Sequence, residues 1–229
     1  MFDIIFMSYQ EPNADENWEK LVNKYKWAQR VHGVKGLVNA HIECAKVSRT
    51  SMYYHVEADN IVDEKFRFTY RPTKWDRDTV HVWRAKNRIN NLVYGYSGIK
   101  LFPTQKVLDL EGKAVTDFTT SVSDKFKPVQ IVASEVAYDT DPFNTWKAAY
   151  RECVKLQSGI IDRQKQKETS ERLDVWCSVG NGNMGAYSIE GARAGKEYAI
   201  QNKGNKEELS FINDFGWLKE KFNEQYGNR

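Results

Sequence analysis

Two acidic residues, Glu57 and Asp59, directly follow the hydrophobic run Met52–Val56, and Asn60 comes next. Alternate residues of a β-strand point to the same face, so we expect the two carboxylates to lie side by side. Mg²⁺ and Mn²⁺ prefer oxygen ligands, and water and a diphosphate can complete their coordination. The spacing therefore predicts a divalent-cation site. The alternative interpretation is a solvated turn with two ordinary acids.

Asp141 and Asp117 are the candidate general bases. Asp141 follows a predicted strand, where a carboxylate could take the proton from an acceptor hydroxyl. Asp before Pro142 is also typical of a helix N-cap. Asp117 lies in a threonine-rich run, and its alternative interpretation is a loop acid beside hydrogen-bonding threonines.

The segment 65–106 is both basic and aromatic. It carries ten Lys and Arg residues against two Asp residues, whereas the formal net charge of the whole chain is +3. Aromatic rings between cations suit a nucleic-acid groove, where bases stack and phosphates are neutralised. A half-buried strand gives the same pattern, with rings in the core and cations in solvent. Gly98 and Lys100 are predicted to line the acceptor or donor-sugar pocket, and the alternative is a glycine-rich hairpin.

Composition narrows the class of protein. No run of about 18 apolar residues occurs, so no membrane-spanning helix is expected. Residues 1–9 lack the features of a secretory signal, which predicts a cytoplasmic location. Three scattered cysteines, Cys44, Cys153 and Cys177, fit a reducing compartment and argue against a disulfide framework or a structural zinc site.

The predicted elements begin as strand, helix, helix and strand. Asp3–Tyr9 is a buried first strand, Asn13–Glu16 looks like a capping box that opens a helix, and a second helical pattern runs from Val34 to Ser48. The run Met52–Val56 is the next strand. Short connections between such elements are typical of an α/β domain with parallel strands.

The later elements are more mixed. Strands are predicted at residues 81–85 and 129–138, and a regular apolar face predicts a helix from Pro142 onwards. After residue 157 the chain is polar and helical. We expect one domain, with a core at residues 1–157 and a helical C-terminal extension at residues 158–229.

Several segments together resemble the GT-A glycosyltransferases. They are SYQEPNADENW, RVHGVKGLVNAH, VEADN, VHVWRA, GYSGIKLFP, TTS and DTDPFNTWKAAYREC. These motifs are similar to those of a group of phage-borne glycosyltransferases that accompany TET/JBP-type oxygenases or other hypermodified-DNA pathways. The resemblance covers roughly residues 3–157. It implies a Rossmann-like mixed sheet flanked by helices.

The resemblance also implies an activity, transfer of a sugar from a nucleotide-sugar, expected to be a UDP-sugar, to the hydroxymethyl group of a 5-hydroxymethylpyrimidine in DNA. Mn²⁺ or Mg²⁺ would be held by Asp59 and Glu57, although the family more often has Asp at the first of these positions. The residues implied in nucleotide-sugar binding are Ser8, Tyr9, Glu11, Arg30, Lys35 and Asn39. The acceptor side is assigned to Gly98, Lys100 and Trp146, the last of which is by default a core residue.

Two alternatives remain open at this point. The same transferase could act on a glycan, a protein or a lipid head group, or the chain could be a DNA-binding module without catalysis. A phage-encoded enzyme of this kind would work in the host cytoplasm, and no membrane partner is expected.

Overall fold

The computed structural model describes residues 1–95, 97–113, 117–159 and 166–227. The chain forms two compact units, the first from residues 1–87 and 93–137 and the second from residues 88–92 and 138–229. The boundary near residue 137 differs from the expected one at residue 157. The reason is that the helix Pro142–Ser158 packs against the helices that follow it.

The first unit is built on a mixed β-sheet of eight strands within the described residues. In chain order the strands are β1 (Asp3–Ser8), β2 (Gln29–His32), β3 (Met52–Glu57), β4 (Asn60–Val62), β5 (Val80–Asn87), β6 (Val93–Tyr94), β7 (Lys100–Pro103) and β8 (Phe126–Val136). Their spatial order is β2-β1-β3-β7-β5-β8-β4, with β6 paired to β5. Strand β1 is parallel to β2 and β3, whereas β7 is antiparallel to both of its neighbours.

Helices cover the sheet of the first unit. They are α1 (Ala14–Lys24), α2 (Leu37–Val47), α3 (Thr104–Leu108) and α4 (Phe118–Val122), with a 3₁₀ turn at Lys74–Asp76. Alternate strand residues supply two separate cores: Ile4 and Tyr54 pack with α1, and Ile5 and Tyr53 pack with α2. This alternation explains why β1 and β3 pack against core residues on both faces of the sheet. The predicted mixed α/β sheet flanked by helices is confirmed.

Two local predictions are wrong. No strand was predicted between the first two helices, but residues Gln29–His32 form strand β2, in which Val31 is the one buried apolar side chain. Asn13 does begin α1, but its side chain caps no helical N–H group. It instead donates from Nδ2 to the carbonyl oxygen of Ala137 at 2.8 Å, which ties the start of α1 to the end of β8.

The second unit is helical, as predicted for the C-terminal part. Its helices are α5 (Pro142–Ser158), α6 (Gln166–Trp176), α7 (Gly185–Gln201), α8 (Lys206–Ser210) and α9 (Phe215–Tyr226), with a 3₁₀ turn at Phe211–Asn213. Trp146 and Tyr150 of α5 pack with Leu218 and Phe222 of α9. Among the described residues, every helix is too short or too polar to cross a lipid bilayer.

Helix α7 approaches α5 closely through two glycines, Gly191 and Gly195. A Cβ atom at residue 191 would lie 2.4 Å from the carbonyl oxygen of Trp146, and one at residue 195 would lie 2.3 Å from that of Tyr150. Backbone atoms cannot yield as a flexible side chain can. The two glycines therefore set the distance between these helices.

We expect Gly191→Ala to destabilise the protein by roughly 1–3 kcal/mol, because the added methyl group overpacks the helix contact. In an exposed helix interior the same change stabilises a protein by about 1 kcal/mol. The sign of the change in unfolding free energy therefore shows whether residue 191 is closely packed. Urea unfolding measures the difference. Glu197→Ala, at an exposed position of α7, is the control and should change stability by less than about 0.5 kcal/mol. A Gly191→Ala protein as stable as the parent would contradict the packing described here.

Candidate active site

The carboxyl ends of three parallel strands meet at one edge of the sheet. In β1, Met7 is aligned with Glu57 of β3 and Ser8 with His32 of β2. The chain leaves β1 for β2 on one side and returns to β3 on the other side. Such a reversal opens a crevice beyond the strand ends, where ligands of open α/β sheets bind. Glu57 and Asp59 therefore lie where this topology favours a ligand.

The backbone after β3 is fixed by hydrogen bonds from two other elements. Asn17 of α1 donates from Nδ2 to the carbonyl oxygen of Ala58 at 2.8 Å. The backbone N–H of Ala137 donates to the carbonyl oxygen of Asp59, also at 2.8 Å. Since both bonds hold main-chain atoms, the side chains of Glu57 and Asp59 start from a rigid support.

Ser97 lies between the two carboxylates. Its Oγ is 2.9 Å from Glu57 Oε2 and 3.2 Å from Asp59 Oδ1, so its single proton can serve only one of them at a time. Its φ of 47° lies in the left-handed region, which non-glycine residues rarely adopt. The amide of Asn60 holds this conformation by donating to the Ser97 carbonyl oxygen at 2.7 Å, and Ser134 donates to the Asn60 amide oxygen at 2.6 Å.

Lys100 neutralises one of the two acids. Its Nζ is 2.6 Å from Glu57 Oε1 and 3.1 Å from the Gly98 carbonyl oxygen, and the residue is only 6% exposed. Burial alone would raise the pKa of Glu57, but the Lys100 ammonium outweighs it and holds that pKa below the usual range. Glu57 is therefore held as an anion in an ion pair whose lysine is buried and whose carboxylate is partly buried.

Asp59 has the opposite electrostatic environment. Burial and the neighbouring charges of Glu57 and Glu11 raise its pKa above the usual range for aspartate. Among the described residues, none forms an ion pair with Asp59, whose carboxylate is hydrogen-bonded by Ser97 and Asn60. A cation bound here would relieve the repulsion between these carboxylates.

The donor set fits a divalent cation that keeps several non-protein ligands. Asp59 offers carboxylate oxygens, whereas Glu57 has one oxygen on Lys100 and the other shared with Ser97. In the part of the chain that the structure describes, no group of three or more His, Cys, Asp or Glu residues could hold a metal. Mg²⁺ commonly binds through one or two carboxylates together with phosphate oxygens and water. Asp59 is thus the principal candidate ligand, and Glu57 is secondary.

His55, on β3 two residues before Glu57, completes the buried side of the site. It is 0% exposed, its Nε2 is 3.9 Å from Glu57 Oε1, and neither ring nitrogen has a hydrogen-bond partner among the described residues. Burial lowers its pKa to about 3, so the ring is neutral near pH 7. Its position behind Glu57 follows from strand parity, because residues 55 and 57 point to the same face of the sheet.

Four of the predicted nucleotide-sugar residues lie at this edge of the sheet or just beyond it. Ser8 Oγ is 2.9 Å from both Arg30 Nε and His32 Nδ1. Arg30 also forms an ion pair with Asp15 at 2.7 Å. These contacts orient the guanidinium at the end of β2.

Tyr9 and Glu11 form a turn immediately after β1, in which the Tyr9 N–H donates to Glu11 Oε2 at 2.7 Å. Lys35 and Asn39 lie separately, at the exposed start of α2. The Asn39 amide donates to the Lys35 carbonyl oxygen at 3.3 Å. The Lys35 side chain is exposed, and Gly36 between β2 and α2 has a φ of 91°.

Both candidate general bases cap helices in the structure. This was the alternative interpretation of Asp141, whereas that of Asp117 was a loop acid beside hydrogen-bonding threonines. Asp141 Oδ1 accepts from the Asn144 N–H at 2.8 Å at the start of α5, and its other oxygen binds the Asn144 side chain. Asp117 Oδ1 accepts from the Thr120 N–H at 3.1 Å at the start of α4. Both carboxylates satisfy helix N-termini, and neither contact involves the acids after β3.

Of the three residues assigned to the acceptor side, Trp146 needs correction. Trp146 is 1% exposed in the core of the second unit, where its Nε1 donates to Gln225 at 3.0 Å, so its ring is not available to an acceptor. Gly98 is required by protein packing, because a Cβ there would lie 2.3 Å from the Trp83 carbonyl oxygen of β5. Lys100, the third of these residues, holds Glu57.

The basic and aromatic segment 65–106 divides between core and surface. Phe66, Phe68 and Trp83 are buried, as the alternative interpretation expected. Trp75 is 76% exposed, with the Lys74 ammonium 4.7 Å from its ring centre. The exposed cations of the first unit in this segment are Lys65, Arg67, Arg71, Lys74, Arg77, Arg84 and Lys86.

The similarities of this chain to known proteins are structural. No family model matches the sequence, and no curated protein matches it. Among solved structures, the fold is similar to a crystal structure of S. aureus TarS residues 1–349, with 9% sequence identity and a TM-score of 0.38. The alignment covers 96% of this chain and 92% of that one. Because the TM-score is below 0.5, we infer neither a family nor an activity from this likeness.

A double-mutant cycle tests the ion pair of Lys100 and Glu57. We expect Lys100→Met to destabilise the protein by roughly 2–4 kcal/mol, since it leaves a largely buried carboxylate without its partner. Adding Glu57→Gln should recover part of this loss and give a coupling of roughly 1–3 kcal/mol in urea unfolding.

The matched control is the exposed ion pair of Lys125 and Asp78, whose atoms are 2.7 Å apart. Its coupling should stay below about 1 kcal/mol. If the effects of Lys100→Met and Glu57→Gln on the free energy of unfolding are additive, the two side chains do not stabilise each other, which would contradict the ion pair described here.

Proposed function

We propose that this protein is a divalent-cation-dependent glycosyltransferase that takes its sugar from a nucleotide-sugar. The observation that best supports this proposal is the position of Asp59. Asp59 is an acid without an ion-pair partner among the described residues, and it follows a central parallel strand at the topological switch point of the sheet. The resemblance of the surrounding motifs to GT-A enzymes supports the same activity.

The residues at the sheet edge would have different roles in such a reaction. Asp59 would hold Mg²⁺ or Mn²⁺, which supplies charge neutralisation as the nucleoside diphosphate leaves. Lys100 and Ser97 keep the Glu57 carboxylate in place beside it. Ser8 and Arg30, fixed to each other at 2.9 Å, are suited to orient the nucleotide at the ends of β1 and β2.

For the acceptor we propose the hydroxymethyl group of a 5-hydroxymethylpyrimidine in DNA. The exposed cations of segment 65–106 are suited to neutralise phosphates, and the exposed ring of Trp75 is suited to stack on a base. The hydroxymethyl group of such a base projects into the major groove of a duplex. We expect the target nucleotide to be flipped out of the stack, so that an enclosed active site can reach the hydroxyl group.

The cation dependence is tested with Asp59→Asn. We expect its turnover of a UDP-sugar to fall by roughly two to three orders of magnitude, because a charge-stabilising group is lost. EDTA should abolish turnover by the parent protein, and Mn²⁺ should restore it. Glu19→Gln, a change at an exposed acid of α1, is the control and should retain full activity.

Thermal unfolding should show that Asp59→Asn remains folded, so that lost turnover reports on the site. Full activity of this variant, or parent activity unaffected by EDTA, would overturn the role of Asp59.

The acceptor is tested by mass spectrometry after incubation with a panel of nucleotide-sugars. We expect added sugar on duplexes that contain 5-hydroxymethylcytosine or 5-hydroxymethyluracil and none on matched unmodified duplexes. Binding should weaken as salt is raised, because phosphate contacts release counterions. Equal transfer to a glycan in the absence of DNA would contradict DNA as the acceptor. The proposed glycosyltransferase activity would still hold in that case.

A further inference from the structure

Positively charged and aromatic side chains alternate along two neighbouring helices of the second unit. On α5, Phe143, Lys147 and Arg151 are four residues apart and therefore lie on the same side of the helix. On α9, Phe215 and Lys219 are also four residues apart. We call these five residues the α5–α9 patch.

The cations of the α5–α9 patch lie over its rings. The Lys147 ammonium is 5.2 Å from the centre of the Phe143 ring and 4.5 Å from that of Phe215. On the α9 side, Lys219 Nζ is 4.5 Å from the centre of the Phe143 ring. The Arg151 guanidinium is 5.2 Å from the centre of the Phe215 ring. Each ring thus has two positive charges beside it.

Hydrogen bonds orient two of these cations without neutralising them. Lys147 Nζ donates to Asn144 Oδ1 at 2.7 Å, and Arg151 Nε donates to the carbonyl oxygen of Ile212 at 2.8 Å. Both of these acceptors are uncharged. Lys219 is exposed, and none of the described residues forms an ion pair with it. The α5–α9 patch therefore concentrates positive charge.

The rings of the α5–α9 patch are accessible as well. Phe215 is 40% exposed and Phe143 is half-buried. Side chains four residues apart on a helix are separated by roughly 6 Å along its axis, an interval similar to that between successive phosphates of a nucleic-acid strand. Exposed rings between cations suit a ligand that carries both planar bases and phosphates.

We propose that the α5–α9 patch binds single-stranded nucleic acid, with bases against the two rings and phosphates against the three cations. The role of this surface rests on the proposed activity toward DNA, because a strand held by the second unit would stay near the enzyme. The binding itself needs no sugar donor, so it can be measured separately from sugar transfer.

Photo-cross-linking of the full chain locates the surface directly. The probe is a single-stranded oligothymidylate that carries 5-iododeoxyuridine, irradiated with the protein in the absence of any nucleotide-sugar. We expect cross-linked peptides that contain Phe143 or Phe215. Cross-links confined to segment 65–106, or no cross-link at all, would refute the inference and leave the proposed sugar transfer standing.

The contribution of stacking is measured by fluorescence anisotropy with the same oligothymidylate. Phe215→Leu keeps an apolar side chain but removes the flat ring, so we expect its Kd to rise roughly tenfold. Phe126→Leu is the matched control, because Phe126 of β8 is also 40% exposed, and it should leave Kd unchanged. Equal Kd values for the parent and Phe215→Leu would show that bases do not stack on this ring and would reject the proposal.

The contribution of phosphates is measured from the salt dependence of the same binding. Lys219→Gln should reduce the slope of log Kd against log salt concentration by roughly 0.7, since one phosphate contact is lost. Lys167→Gln, at an exposed lysine of α6, is the control and should leave the slope unchanged. An unchanged slope in Lys219→Gln would count against phosphate contact at this surface.

Inorganic polyphosphate of matched charge distinguishes a nucleic acid from any other polyanion. It lacks bases, so we expect it to compete with the oligothymidylate at least roughly tenfold more weakly than unlabelled oligothymidylate does. Equal competition would rule out nucleic acid as the preferred ligand. The cross-link in the parent protein and this competition are readouts that do not depend on a variant being folded.

Discussion

The ion pair between the buried Lys100 and the partly buried Glu57 determines the electrostatics of the sheet edge. Because the lysine satisfies one carboxylate at 2.6 Å, Glu57 remains charged, and that charge acts on Asp59. The same pair joins β7 to the end of β3, since His55 and Lys100 are aligned in the antiparallel register of these strands. Strand order thus places Asp59, which has no ion-pair partner among the described residues, at the topological switch point of the sheet.

Much of the framework could be predicted from the sequence because it rests on local patterns. The apolar run before Glu57 predicts a strand, and side-chain alternation predicts that His55, Glu57 and Asp59 share a direction. The apolar positions of α5 recur at helical spacing, and Asp141 before Pro142 caps that helix as such a pair commonly does. Each of these features depends on residues that are close in sequence.

The features that the sequence did not reveal depend on distant residues. Lys100 meets Glu57 across 43 positions, and Ser97 reaches both acids from a backbone with φ of 47°. A lysine inside the apolar run Ile99–Phe102 was a usable signal, because a buried lysine requires a partner. Residue 98 must likewise be glycine because a Cβ atom there would clash with the carbonyl oxygen of Trp83. These two residues come close only through the folding of the sheet.

Binding of Mn²⁺ in the presence of UDP, followed by electron paramagnetic resonance, tests the central role of Asp59 most directly. The parent protein should bind Mn²⁺ weakly alone and much more tightly with UDP, because the diphosphate supplies the ligands that the protein lacks. Asp59→Asn should lose this enhancement, and Glu57→Gln should weaken it less. Equal binding of Mn²⁺ and UDP by the parent and by Asp59→Asn would contradict the account.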